Sequence, residues 1–169
     1  MIKILILLNI LILFLSMCFL LMGGLFKCST SFIGKFYGNI SCVGSMIVMI
    51  FIYLISIPKK NNGKFILSEF LIIIPIIITI ISILITIYDT KKYKKDILKN
   101  NANANYYLYN GLYVLSLGVI ISLQIFNLVI SHYYNFSNYS LNNILKYGSI
   151  FMSIINGLFS YLSHYYINK

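Results

Sequence analysis

The sequence predicts an all-α fold: a polytopic integral-membrane helical bundle of five transmembrane helices, or four where the first or last apolar segment does not span. Three observations predict it. Of the 169 residues, 60% are hydrophobic and only 9% are charged, far from the balance of a soluble domain. The apolar residues gather in runs of about twenty, the length that crosses a ~30 Å hydrocarbon core at ~1.5 Å per residue. Lysines stand at the ends of those runs. The plainest run is Leu71–Tyr88, eighteen residues without a charge between Lys59, Lys60 and Lys64 on one side and Lys91, Lys92, Lys94 and Lys95 on the other. Residues 1–169 read as one transmembrane domain, with spans at about 4–23, 37–57, 65–88, 107–129 and 146–165 and a basic loop at 89–105.

The first run, residues 4–23, is apolar apart from Asn9 and Ser16. It exceeds the about 7–15 apolar residues of a signal peptide, so it reads as an uncleaved span. The second runs from a start between Phe36 and Cys42 to Pro58. Gly34, Gly38, Cys42 and Ser45 recur at helical spacing, which puts small side chains on one face, the usual pattern of close helix contact in a bilayer. The connection Pro58–Lys64 is short and basic, so spans two and three form a tight hairpin. Span three carries Pro75, expected to kink it, and Glu69, expected at the interface within reach of Lys60 or Lys64. Its remaining surface reads as smooth and lipid-like.

The stretch Asp89–Asn105 is the one long charged segment, with a short amphipathic turn where Asp96 follows Lys92 by four residues. Span four has Tyr106, Tyr107, Tyr109 and Tyr113 before it and Tyr133 and Tyr134 after it, an interfacial aromatic belt. Ser116, Gln124, Asn127 and Ser131 project within about 80° of one another at 100° per residue, forming a single polar stripe. In span five, Ser149, Ser153, Asn156, Gly157, Ser160 and His164 fall on one face. A helix lying on the membrane surface would carry lysines there. This one carries amides and hydroxyls, so the stripe is expected to turn toward span four, as helix-packing glue or as the lining of a pathway.

All thirteen basic residues are lysine and the net charge is +10. They flank apolar runs instead of forming a basic face, so they read as topology anchors and not as a nucleic-acid surface. With five spans, one side collects five lysines (3, 59, 60, 64, 146) and the other eight (27, 35, 91, 92, 94, 95, 99, 169). Positive-inside then places the 89–105 loop in the cytoplasm. Asn135 and Asn138 begin glycosylation sequons in the loop placed outside, while the Asn39 sequon goes unused. Cys18 lies in the first run, where Met17 breaks the small-residue requirement of a lipobox. Cys28 and Cys42 flank the first connection and pair only if it faces an oxidising compartment; two free thiols are the alternative.

No chemistry-bearing motif appears. His132 and His164 end two antiparallel spans on opposite faces, and the three acids, Glu69, Asp89 and Asp96, all lie near span ends. No triad or metal set assembles from these, so no enzyme activity, cofactor or metal is expected. The expected partners are membrane lipid and other transmembrane subunits. The leading functional expectation is an accessory or structural subunit of a membrane complex, or a membrane-organising factor, because spans two, four and five carry contact stripes. A small channel or carrier lined by the polar faces of helices four and five is another. A third rests on likeness: Gly24-Leu25-Phe26 with Cys28 and Cys42, and Tyr109-Asn110-Gly111-Leu112-Tyr113, loosely resemble the first extracellular loop and the last-span approach of claudins. That resemblance covers about a fifth of the chain and implies a tetraspan adhesion or junction protein.

Overall fold

The computed structural model describes residues 2–25, 31–60, 71–99, 102–133 and 139–167, and these are almost entirely helical. The helices are α1 (Ile2–Leu25), α2 (Ser31–Lys60), α3 (Ile73–Lys92), the short α4 (Lys94–Leu98), α5 (Ala104–Tyr133) and α6 (Tyr139–Ile167). Among the described residues, four helices are long and apolar enough to cross a membrane: α1, α2, α3 and α5. The fifth long helix, α6, is not one of them. Its Lys146, serines, Asn156 and His164 dilute its apolar character, so length and composition alone give four spanning helices, the expected alternative in which the last apolar segment does not span.

Helix boundaries shift from expectation for physical reasons. Helix α2 begins at Ser31, ahead of the expected start, and runs through Pro58 to Lys60. Helix α3 begins at Ile73, which places Pro75 in its first turn. The backbone nitrogen at this position would have been one of the unpaired donors of a helix start, so the proline removes no backbone bond within α3. At its other end α3 continues through Asp89 to Lys92, residues expected in the basic loop. Glu69 and Lys64 lie outside the described residues.

The long helices close a ring. Packing runs from α1 to α2, α3, α6 and α5 and back to α1. Contacts between Ser82 and Ser160 and between Asp89 and His164 show that α3 and α6 are parallel neighbours. The outer surface is apolar on every long helix, with Phe14, Phe51, Leu84, Phe126 and Phe151 all exposed. The interior mixes apolar and polar groups. On α1 the inward positions are Ile6, Asn9, Leu13, Ser16 and Leu20, alternating at three and four residues as a helix seam requires.

The α1–α2 contact is the close one that the small residues on α2 predict. A Cβ at Gly34 would sit 2.7 Å from the Phe19 carbonyl oxygen, and one at Gly38 would lie 3.0 Å from Leu20. Further along, Ser45 donates to Asn9 Oδ1. Gly44 points outward and a Cβ there meets nothing within 4 Å. We therefore expect Gly34→Ala to destabilise the protein by about 1–3 kcal/mol through overpacking. Gly44→Ala should be neutral or stabilise by up to about 1 kcal/mol through helix propensity. Thermal unfolding of both variants in one detergent measures the difference.

Candidate polar interior and its ionisable end

The polar stripes of α5 and α6 face the inside of the ring. Ser116, Gln124 and Asn127 on α5 are buried, as are Ser149, Ser153, Asn156 and Ser160 on α6. Asn156 Nδ2 donates to the Tyr113 carbonyl and to Ser116 Oγ, both at 2.9 Å, so the two stripes meet as expected. Ser149 and Ser153 instead donate to their own helix, at Leu145 and Ile150. That local bond satisfies a hydroxyl without joining helices. Gly157 is half-buried beside α3, where an added Cβ would meet Ser82 Oγ at 3.4 Å. Ser131 belongs to α5, but its side chain lies outside the described residues, as do Cys28, Asn135 and Asn138 entirely. Cys42 is free and buried inside α2. The buried Asn39 in α2 leaves its sequon inside the bundle.

Helix α3 is not the smooth helix expected from its apolar run. Thr79, Ser82, Thr86, Asp89 and Thr90 are all buried, at the three- and four-residue steps of one face. Ser160 Oγ donates to the Ser82 carbonyl at 2.9 Å and lies 3.3 Å from Thr86 Oγ1. The α6 stripe thus serves two neighbours, α5 on one flank and α3 on the other. Isolated threonines and serines in an isoleucine-rich run are easily read as incidental, because each also bonds its own backbone: Thr79 to Pro75, Thr86 to Ser82 and Thr90 to Thr86.

Among the described residues, three side-chain hydrogen bonds cross the ring between α2 and α5, each using a tyrosine. Tyr113 donates to Asn39 Oδ1 at 3.0 Å, and Tyr53 donates to Gln124 Oε1 at 3.4 Å. At one end, Lys35 Nζ donates to the Tyr106 hydroxyl at 3.5 Å and lies 5.2 Å from that ring's centre and 5.9 Å from that of Tyr107. Paired positions rise together along both helices, so α2 and α5 are parallel. A phenol reaches farther than any other uncharged side chain with a polar tip, which suits it to spanning such a centre.

The same end holds Asp89 and His164. Asp89 Oδ1 lies 2.7 Å from His164 Nδ1, with Asp89 buried and His164 about one-third exposed (35%). Tyr106 stands within electrostatic reach of Asp89. Lys35, Tyr106, Asp89 and His164 therefore form one constellation drawn from α2, α5, α3 and α6. Sequence reasoning placed His164 on its stripe but assigned Lys35 to topology and Asp89 to a loop. The missed signal was periodic: Asp89 is the next step of the Thr79, Ser82, Thr86 face. No group of three or more His, Cys, Asp or Glu that would hold a metal occurs among the described residues.

The interhelical bonds make Asn156 the main link between α5 and α6. Interhelical hydrogen bonds in membranes average about 0.6 kcal/mol, with a maximum near 1.7, so Asn156→Ala should cost about 1–3 kcal/mol for its two bonds. Ser122→Ala removes an exposed hydroxyl bonded to its own helix at Gly118 and should change stability by less than about 0.5 kcal/mol. Denaturant unfolding in detergent compares the two. No family model matches the chain, and no curated protein or solved structure matches it either, so the functional reading rests on the interior itself.

Proposed function

We propose that the chain is a non-enzymatic, multi-pass integral membrane protein that passes a small polar species through its interior. It is a small channel or carrier, lined by the polar faces of α5 and α6 and closed by α2 and α3, with α6 as the fifth crossing. One observation carries this reading. Among the described residues, seven buried polar atoms have no protein partner: Asn9 Nδ2 at the α1–α2 contact, and Asn39 Nδ2, Asp89 Oδ2, Asn110 Nδ2, Gln124 Nε2, Asn127 Nδ2 and Asn156 Oδ1 on the other helices. Each unsatisfied group of this kind costs about 1–3 kcal/mol, more than the about 0.6 kcal/mol that an interhelical bond returns. Packing alone does not account for such an interior, whereas polar contents do.

A second reading, the accessory or structural subunit, is favoured by a cleft between α1 and α2. It has a volume of about 450 Å³ and is lined by Leu5, Leu8, Ile12, Gly44 and Val48, with Asn9 and Ser45 beneath. A partner helix would meet the smallest residues of α2 there. The claudin-like reading requires Cys42 in a loop opposite Cys28, and its place inside α2 gives that reading no support.

The test is flux from vesicles holding the reconstituted chain. Dissipation of an imposed pH gradient, followed with a trapped pH-sensitive dye, and glycerol entry, followed by light scattering, should both be compared with protein-free vesicles. We expect faster movement of at least one probe, lost when Asn127 and Asn156 are changed to Leu. Flux equal to that of empty vesicles, or untouched by Asn127→Leu and Asn156→Leu, removes the carrier reading.

A further inference from the structure

We infer that Asp89 and His164 form a proton-binding site at one end of the polar interior, and that the proton is the ion this interior handles. The second part of that inference rests on the carrier reading above; the binding site itself does not.

The geometry is that of a site loaded from one side. His164 is the open member, with about a third of its side chain exposed (35%), while Asp89 is buried. A single proton lies in the 2.7 Å bond between Nδ1 and Oδ1. The other carboxylate oxygen, Oδ2, is buried and has no protein partner. It offers the lone pair that a second proton takes. Loading forms one O–H bond at Asp89 Oδ2 and takes the pair from one negative charge to none; release reverses it. No other bond forms or breaks.

The surroundings select a proton over a metal cation. An alkali or alkaline-earth ion needs about six oxygen ligands, yet Asp89 Oδ1 is already engaged by the ring nitrogen. A metal cation would also meet the charge of Lys92 on α3 itself, while Lys35 on α2 is held against Tyr106 of α5. Tyr107 lies beside Lys35 on the α5 flank. Helix α4 packs against α3 and α2 and adds the exposed Lys94, Lys95 and Asp96. Beyond Asp89 the interior continues with the Thr86 and Ser160 hydroxyls and then Tyr113 with Asn39. Carboxylate, imidazole and hydroxyl groups in sequence are the chemistry that holds and passes protons within membranes.

The chain's three acids make the test direct. Infrared difference spectra of the full chain in lipid vesicles, recorded on acidification, should show a carboxyl C=O band. That band should disappear in Asp89→Asn, persist in Asp96→Asn, and move its midpoint in His164→Gln, which keeps Asp89 but removes its ring partner. Proton flux should be lost in Asp89→Asn and recovered in Asp89→Glu. A band that survives Asp89→Asn, or the lack of any such band in the unaltered chain, overturns the site. Flux that depends on Asn127 and Asn156 but ignores Asp89 also overturns it while leaving the carrier reading intact. A band that follows Asp89 in vesicles without flux upholds the site and removes the carrier reading instead.

Discussion

No water reaches the middle of a bilayer, so every amide, hydroxyl or carboxylate drawn into a helical bundle must find its partner within protein or its contents. This chain meets part of the demand in two ways. Threonines and serines on α3 and α6 bond mostly to the carbonyls of their own helices. Longer side chains reach across, tying α6 to α5 through Asn156 and α2 to α5 through tyrosine. The first solution leaves helices independent. The second joins helices far apart in sequence and gives the ring its closure.

The tyrosines explain how a ring of five helices avoids an empty centre. Helices α2 and α5 face each other across it, and a phenol with its polar tip spans that distance where aliphatic side chains stop short. Asn39, Gln124 and the Lys35 ammonium stand at the far ends of these spans. Around them the apolar cluster of Leu13, Met46, Ile52, Ile83, Leu117 and Leu128 fills the space between helices. The result inverts a soluble protein: large apolar groups face outward, and the concentrated polar groups face one another.

Much of this architecture was legible in the chain. Apolar runs longer than a signal peptide, with lysines at their ends, gave the all-α class. Small residues on α2 marked the contact later seen at Gly34 and Gly38. The stripes on α5 and α6 meet at Asn156, Tyr113 and Ser116, while Ser160 of the same stripe turns to α3. What escaped notice needed three dimensions. Pro75 looks like a kink until the helix is seen to begin at Ile73. Asp89 looks like the start of a loop because charge clusters after it, yet α3 carries it inward for one more turn. Lys35 joined a tally of positive charges, when a tyrosine from a helix some seventy residues later covers it.

The position of α6 bears on how the fold is reached. It is not among the helices apolar enough by composition to cross a membrane, and it sits in parallel beside α3 although α4 and α5 come between them in the chain. Ser82, Thr86 and Asp89 therefore wait on the nascent chain for partners on a helix synthesised after α4 and α5. In this fold α6 joins neighbours that already present a hydrophilic berth, so a polypeptide cut short before Tyr139 leaves the Ser82, Thr86 and Asp89 face without its partners.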